Sequence, residues 1–554
     1  MTRDNESPHS SRDEESDGDT SRRSYLGALT ALGVGGGIGL SARGSTDSAV
    51  AAANDSSLDG ISLSDSGTPV THDLSHLEFG SSLTATEHED RVEVDMEPPN
   101  PNVVNVRADL GVEPNEDDLW GAIYDHYQSF RPTNRNHMYV VPPGTWLVET
   151  DNIHLEAHEL FGIRGDPSAT LRVNDQDVDR MMTVGTTDDS LPHAQRTVMQ
   201  DLHIDIRGDY DTGIGRWYTY RFGLIERITM RGSRNRLHPE YGGDRHTIMV
   251  DGIKSTTTNL VRACHLNNWD VQHDEPQVGH AIAYGSEPTN VGLNIWEGCQ
   301  VTGYTDNGFY MSTSNGRNLI RSCTAVNCAG AAIRIGERDM VRNCKIIIRE
   351  EPSHPWSGLW IENGGGQVVE KLYVENYVSK PTEIIRCNQD GHARLKDIHI
   401  EDAGTDGRII RVNDDDESKT IFDSCTIADR SSPENSDYGV YVQSSNVRFR
   451  DCDFEFASRS TNDRHGIYVN GRGDDVDALS LENCDIDADG ASLRFTDDGE
   501  NHRIQHSNFG ALVMSDADVS LQDVLWLGNR HNGATVFHGS RDNWKGDFNW
   551  GFEV

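Results

Sequence analysis

The chain has 554 residues, and 90 Asp and Glu against 49 Lys and Arg give it a formal net charge of −41. A surface this negative repels phosphate backbones, so we expect no nucleic-acid partner. Hydrophobic residues make up only 35% of the chain, which favours a thin, repetitive core over a large globule. The acid-rich, Lys-poor composition is typical of a protein adapted to high salt, and it predicts that the acidic runs are solvated surface.

Residues 1–53 are predicted to be an export signal. Paired Arg22 and Arg23 precede a mildly apolar, Gly-rich stretch, and small residues at 49–53 offer a cleavage site. This arrangement resembles a twin-arginine signal, which implies a folded, secreted protein. The alternative is a chance Arg pair before a Gly-rich linker. The apolar stretch is shorter than the roughly 20 residues of a membrane span, so we expect no stable span.

Residues 54–95, rich in Ser, Asp, Thr and Gly, are predicted to be an acidic disordered linker. Residues 96–195 are predicted to hold an N-terminal cap and the first coils of a repeat fold. Within them, residues 118–127 have the apolar spacing of a short capping helix.

An internal repeat dominates the rest of the chain. Short motifs that alternate apolar and polar residues recur in thirteen units, so twelve intervals between the first and last fourth positions give about 27 residues per unit. The fourth positions are Leu202, Ile228, Cys264, Cys299, Cys323, Cys344, Leu372, Ile398, Cys425, Cys452, Cys484, Ser507 and Val524.

Most units contain a second short strand, such as AIRIGE or GLWIEN, and no helical spacing lies between the strands. This pattern predicts an all-β fold, a single-stranded right-handed parallel β-helix of about 12–13 coils over 196–530, with a C-terminal cap at 531–554. A β-sandwich or a propeller is the alternative, although a propeller repeat is nearer 40–45 residues.

Seven of the nine cysteines occupy the same motif position, which points inward if the strands alternate. A column of buried free thiols behaves as a small hydrophobic stack. Disulfides are the alternative, but the odd number of cysteines and a folded export route do not favour them.

The helix at 118–127, the PPGTW turn at 142–146, the FGIRGD turn at 161–166 and the N/D/S-C motif together resemble the pectate-lyase-like superfamily of right-handed β-helix proteins. The resemblance covers about residues 100–530. It implies the fold but not a particular reaction.

Catalytic groups in such a fold form columns, because neighbouring coils lie about 4.8 Å apart. The residue two before the first inward position of each second strand gives His246, His280 and Asn307 on successive coils. We therefore expect two imidazoles and an amide to stack along one edge.

The segment Tyr241-Gly-Gly-Asp244-Arg245-His246 carries a Y-G-x-D-x-H pattern. It is similar to the catalytic segment of mannuronan C5-epimerases and related alginate lyases. The resemblance implies that Tyr241 and His246 form the acid/base pair and that Asp244 supports them. The chain differs from that family by having Arg245 in place of Pro, His280 in place of a carboxylate and Asn307 in place of a His.

Removing the C5 proton of a uronate requires a base and a cation that neutralises the sugar carboxylate. His246 or Tyr241 is the candidate base, Arg245 or Arg234 the candidate neutralising group, and His280 a further imidazole at the site. Beyond this no cofactor is required, and a Ca²⁺ ion on Asp244 and Asp306 is the one candidate. A polar turn with a capping Asp is the structural alternative.

A second column, on the outward face of the same strands, is predicted to bind substrate together with Arg234 and Asn307. Exposed aromatic rings beside arginines suit pyranose faces and uronate groups, although such a column can also simply stiffen a sheet. Its members are Tyr310, Arg334, Trp360, Tyr441, Tyr468 and Arg494.

The hypothesis is a secreted enzyme, a polysaccharide lyase or C5-epimerase, that acts on an acidic polysaccharide. A glycoside hydrolase is an alternative, for which Asp244 and Asp306 would have to lie about 5 to 9.5 Å apart. The other alternative is a non-catalytic surface β-helix that binds glycans or has a structural role.

Overall fold

The structure is a computed structural model of the whole chain. It describes the backbone of short strands between residues 64 and 95, and residues 101–175, 177–188, 193–206, 212–232, 246–268, 281–350, 357–379, 383–388, 390–405, 407–413, 419–431, 438–456, 464–471, 475–532, 535–536 and 541–547. The chain divides into two compact units, Met1–Asn100 and Pro101–Val554. No helix among the described residues is long and apolar enough to cross a membrane.

The first unit contains short antiparallel strands within residues 64–95, and the acidic linker at 54–95 stays a prediction. The charged and apolar residues alternate in RVEVD (91–95), which is the period of a strand. The strands are Ser64–Asp65 with Thr68–Pro69, and Leu77–Glu78 with Thr84–His88 and Arg91–Asp95.

In the second unit, the predicted capping helix follows strand Asn102–Asn105 and spans Leu119–Gln128. Asp118 caps it, because its carboxylate accepts hydrogen bonds from the backbone N–H groups of Trp120 and Gly121. Trp120 is fully buried, and its Nε1 donates to the carbonyl of Met181 at 2.6 Å. A single 3₁₀ turn follows at Pro132–Asn134.

The remaining chain winds as a parallel β-helix, which confirms the predicted fold. One face is a sheet of 15 parallel strands, of which 12 lie within residues 196–530, where 12–13 coils were predicted; two strands precede that range and one follows it. Its strands are Ile153–Leu155, Arg180–Val184, Gly213–Thr219, His246–Gly252, Ile282–Gly285, Phe309–Tyr310, Ala331–Ile335, Ser357–Glu362, Glu383–Asn388, Arg408–Val412, Tyr438–Val442, His465–Val469, Ala491–Phe495, Leu512–Ser515 and Thr535–Val536.

The other two faces join into one sheet of 30 strands, since two long strands run through the bend between them. The strands of the first face are Asn102–Asn105, Asn136–Val141, His158–Gly165, Ala194–Gln200, Phe222–Glu226, Thr258–Arg262, Leu293–Glu297, Arg317–Arg321, Met340–Ile348, Gln367–Asn376, Ala393–Lys396, Thr420–Asp423, Arg448–Arg450, Ser480–Glu482, Arg503–Gln505, Leu525–Leu527 and Lys545–Asp547.

The second face shares Met340–Ile348 and Gln367–Asn376 with the first. Its other strands are Gly144–Val148, Ala169–Val173, His203–Ile206, Thr229–Gly232, His265–Asn268, Gln300–Thr302, Thr324–Val326, His399–Asp402, Thr426–Asp429, Asp453–Phe456, Asp485–Ala488, Asn508–Phe509 and Arg530–His531. A small separate sheet near the C-terminus contains Gly499–Glu500, Leu521–Gln522 and Arg541–Asp542.

The bend between these two faces explains the repeat motif. One residue per coil adopts a left-handed conformation, which Asn, Asp and Gly tolerate best, and the buried fourth position follows it. These residues are Asp201, Arg227, Ala263, Gly298, Ser322, Asn343, Lys371, Asp397, Ser424, Asp451, Asn483, His506 and Gly528.

The last unit was misplaced by the sequence pattern. Strand Arg503–Gln505 pairs with Leu525–Leu527, so Gly528 and the buried Asn529 continue the column rather than Val524. Leu521–Gln522 lies instead in the small separate sheet, where Asp523 makes a similar left-handed bend. The same local sequence pattern therefore occurs at two different bends, one in the 30-stranded sheet and one in the small separate sheet.

The cysteines are inward, as predicted. All nine are buried and free. In eight of them the thiol lies near the backbone carbonyl of the residue two positions earlier, as for Cys344 Sγ and Arg342 O at 3.2 Å. The thiols therefore fill the corner of the core and interact with backbone carbonyls there. None of them forms a disulfide.

Candidate functional site

The outward face of the 15-stranded sheet carries one continuous column of cationic and aromatic side chains. Strand register places one of them on each coil from Tyr310 to Arg494. We call this column the cation–aromatic ladder; its members are Tyr310, Arg334, Trp360, Arg386, Arg411, Tyr441, Tyr468 and Arg494.

The members of the ladder stack on one another along the helix axis. The Arg334 guanidinium carbon lies 4.0 Å from the ring centroid of Trp360 and 5.1 Å from that of Tyr310. Arg386 covers the other face of Trp360 at 4.3 Å. Farther along, the rings of Tyr441 and Tyr468 stack at 5.5 Å. Each contact is a cation–π or aromatic interaction, so the ladder also holds its own members in place.

Charge on this face differs from the charge of the whole chain. Glu362 pairs with Arg334 at 2.5 Å, and Glu383 accepts both Arg411 at 3.3 Å and the neighbouring Arg408 at 3.5 Å. At the far end Asp516 pairs with Arg494 at 3.2 Å. The ladder arginines and Arg408 are therefore five cations facing three direct carboxylate partners, in a chain whose net charge is −41.

Arg386 is the exception among these five arginines. Within the described part of the chain it has no ion-pair partner, and its buried Nε has no hydrogen-bond partner. Its nearest carboxylates, Glu362 and Glu383, already pair with Arg334 and Arg411. Burial lowers the pKa of Arg386, so its charge is held in an unfavourable environment.

The predicted stacking of sugars on the aromatic rings is wrong for Trp360. Guanidinium groups cover both ring faces, only 7% of the residue is exposed, and Nε1 donates to Oδ1 of Asn388. Tyr441 and Tyr468 are also buried. What the ladder offers to a ligand is mainly guanidinium N–H groups and ring edges.

At the other end of the ladder, the His246 ring takes the place of a missing side chain. Strand register puts Gly285 between Met249 and Tyr310 on the outward face, and the His246 imidazole lies over this glycine. The ring is 6.4 Å from the ring of Tyr310, and its Nε2 is 3.6 Å from Oε1 of Glu287. The imidazole therefore continues the ladder and has a carboxylate beside it.

A buried carboxylate holds the backbone of Glu287. Asp251 accepts hydrogen bonds from the N–H of Glu287 at 2.9 Å and from the hydroxyl of Ser286 at 3.1 Å, and a third from the hydroxyl of Thr289. Burial raises the pKa of Asp251 to about 6, against the effect of these donors. Asp251 thus fixes the turn that presents Glu287 to His246.

The predicted edge column can be compared with the structure at two of its three positions. His246 is in register with Ile282, and the same register continues to Asn307, whereas His280 lies outside the described residues. On strand Ile282–Gly285 the buried Tyr284 is an inward residue, although AIAY is apolar at every position. Asn307 is buried and donates to Asp306 at 2.6 Å while accepting from the N–H of Ala331, so it has a structural role.

Several predicted site residues lie outside the described part of the chain: Arg234, Tyr241, Asp244, Arg245 and His280. Their roles stay predictions, as does a Ca²⁺ site on Asp244 and Asp306. Within the described ranges no group of three or more His, Cys, Asp and Glu side chains could hold a metal ion.

Three important residues of this face were not identified from the sequence. Arg386 and Arg411 occupy the same motif position as Arg334, in EIIRCN and RIIRVN, so the alignment of second strands could have found them. Glu287 carries no such sequence signal, because it lies in the turn after its strand. Only the winding of successive coils brings its carboxylate next to His246.

Comparison with known proteins gives the fold alone. No protein-family model matches the chain, and no curated protein matches it by sequence. Among solved structures it is similar to the catalytic domain of a GH87 α-1,3-glucanase in complex with nigerose, at 11% identity and a TM-score of 0.37, over 82% of this chain and 70% of that one.

Two other solved structures are similar at the same level. A bacteriophage CBA120 tailspike protein is 10% identical over 81% of this chain and 62% of its own, with a TM-score of 0.34. A surface adhesin of Streptococcus pneumoniae is 11% identical over 81% and 93%, with a TM-score of 0.32.

Proposed function

We propose that this protein binds an acidic polysaccharide along the cation–aromatic ladder. The observation that supports this most is the local excess of arginines on the outward face of the 15-stranded sheet of a strongly acidic chain. Guanidinium groups pair well with carboxylates, and a row of them at the spacing of the coils suits a repeating polyanion. A rigid, self-stacked row also loses little side-chain entropy on binding.

At the His246 end of the ladder we propose C5 proton abstraction from a uronate unit. His246 Nε2 would take the proton, and the electron pair would delocalise into the sugar carboxylate. Collapse with expulsion of O4 forms a C4–C5 double bond, and O4 takes a proton from an acid, for which Tyr241 is the candidate. Return of a proton to the opposite face of C5 would give epimerisation instead. Glu287, at 3.6 Å, would stabilise the protonated imidazole.

The test is a panel of uronate polymers incubated with the protein in high salt, with and without chelator. Elimination gives an unsaturated product that absorbs in the ultraviolet, whereas hydrolysis gives reducing ends without that absorbance. We expect His246→Ala to lower elimination at least about a hundredfold, as loss of a general base does. The matched control is His265→Ala, an exposed His on the 30-stranded sheet.

The other outcomes of this experiment distinguish the alternative functions. Reducing ends without absorbance would favour a glycoside hydrolase and contradict the proton-abstraction step. Binding without any product, unchanged by His246→Ala, would leave a glycan-binding protein. No binding to any acidic polymer would contradict the proposed function as a whole.

We also propose secretion through the twin-arginine route, supported by Arg22 and Arg23 before the Gly-rich stretch. The paired change of Arg22 and Arg23 to Lys is expected to retain the protein inside the producing cell. Unchanged export of that variant would contradict this route.

A further inference from the structure

We propose that Arg386, with Arg411 beside it, is a carboxylate-binding subsite of the polysaccharide, five coils from the strand of His246 and four from Gly285, over which the imidazole lies. This inference rests on the proposed function and adds to it a specific residue and a minimum length of ligand.

Arg386 differs from the other arginines of this face in its ion pairing. A guanidinium that is partly buried without an anion is costly, and proteins normally pair such a group. The other four arginines of this face have carboxylate partners, at 2.5 to 3.5 Å. Arg386 has none in the described part of the chain, so this position is ready for an anion supplied from outside.

The Arg386 guanidinium is supported by a ring on the neighbouring coil. The Trp360 ring lies 4.3 Å from its guanidinium carbon and supports one face of the planar group. Arg411, on the next coil, is fixed by Gln443 at 3.0 Å and by Glu383. A planar, supported guanidinium offers its N–H edge to both oxygens of a carboxylate, and a second arginine one coil away strengthens the local positive potential.

Arg386 lies several coils along the ladder from the His246 imidazole. The coils from Gly285, over which the imidazole lies, run through Tyr310, Arg334 and Trp360 to Arg386. Four steps of about 4.8 Å place the subsite about 19 Å from the imidazole. A ligand has to be several sugar units long to reach both, so short oligosaccharides bound at His246 cannot use Arg386.

The experiment measures binding of a series of oligogalacturonates and oligomannuronates, from disaccharide to decasaccharide, by calorimetry. We compare the wild-type protein with Arg386→Gln, Arg386→Lys and the control Arg342→Gln. Arg342 also lies on a strand and is similarly sheltered, but it is on the 30-stranded sheet and pairs with Glu370 at 3.0 Å. Thermal unfolding of each variant checks that the fold is retained.

We expect Arg386→Gln to weaken binding of the long oligomers about tenfold and to leave short ones unchanged. Arg386→Lys should recover part of the loss, since charge remains but the bidentate geometry does not. The control should bind as the wild type. If the wild type binds long oligomers and Arg386→Gln binds them equally well, this inference is wrong while the proposed function stands. If the wild type binds none, the proposed function itself has failed.

Discussion

A Cβ atom built on Gly285 would lie 2.0 Å from Cδ2 of His246, so the imidazole occupies the space that a side chain at Gly285 would need. The two residues lie on adjacent coils, and strand Ile282–Gly285 ends at this glycine. Because Gly285 has no side chain, the imidazole of His246, the candidate base on the preceding coil, can occupy this position.

The first prediction concerns this pair. Gly285→Ala should displace the His246 ring and lower any uronate elimination at least about tenfold, while overpacking costs about 1–3 kcal/mol of stability. Product absorbance and urea unfolding measure the two effects. In a His246→Ala background the same glycine substitution should cost far less stability, because the space is then empty. Equal costs in both backgrounds would contradict the steric relationship.

The second prediction concerns the thiols. Burial raises the pKa of Cys328 to about 12, and all nine cysteines are free and buried, so the thiols are inaccessible to a reagent in the folded protein. A chromogenic disulfide reagent should label none of them in the native protein and all nine after denaturation without reductant. Fewer than nine under denaturing conditions would show that disulfides form.

The third prediction concerns acid stability. Burial lowers the pKa of His502 to about 4, below its usual 6.5. Between these values the unfolded state binds a proton that the folded state does not, so the free energy of unfolding falls as the pH falls through this window. The expected loss is about 3 kcal/mol, because one pKa unit is worth about 1.4 kcal/mol.

His502→Phe, which keeps a ring against Phe495, should remove that part of the pH dependence in urea unfolding curves. The exposed His265→Gln variant serves as the control and should retain it. If His502→Phe loses stability toward acid as steeply as the wild type, the buried neutral imidazole is not the cause.

The fourth prediction concerns a fully buried ion pair, Arg464 Nε with Asp429 Oδ2 at 2.7 Å. Arg464→Met should lower the free energy of unfolding by about 3–5 kcal/mol, because it leaves a buried carboxylate without its cation. Adding Asp429→Asn should recover most of the loss. The exposed pair of Arg107 and Glu113, also at 2.7 Å, is the comparison, and Arg107→Met should cost less than about 1 kcal/mol. Similar costs at both pairs would contradict the role of burial.

Individual residues show which features of the fold and of the site were predictable from the sequence. The corner residue and the inward Cys were predictable on coil after coil, because a left-handed bend and a small buried group each restrict the residue type. Which residues of the strand AIAY point inward was predicted wrongly, since a strand that is apolar at every position does not reveal its inward side. The exposure of Trp360 was also predicted wrongly, because exposure depends on neighbours from other coils.

The repeat of about 27 residues and the turn residues between strands determine a parallel β-helix without reference to any contact, and the excess of acid predicts adaptation to high salt. Only the tertiary structure decided that Arg386 is left without a carboxylate, that Glu287 lies beside His246, and that the imidazole lies over Gly285. The reason is physical. Local sequence patterns determine the winding of each coil. Ion pairing and the solvent exposure of a side chain depend instead on residues that are about one coil apart in space and some 27 residues apart in sequence.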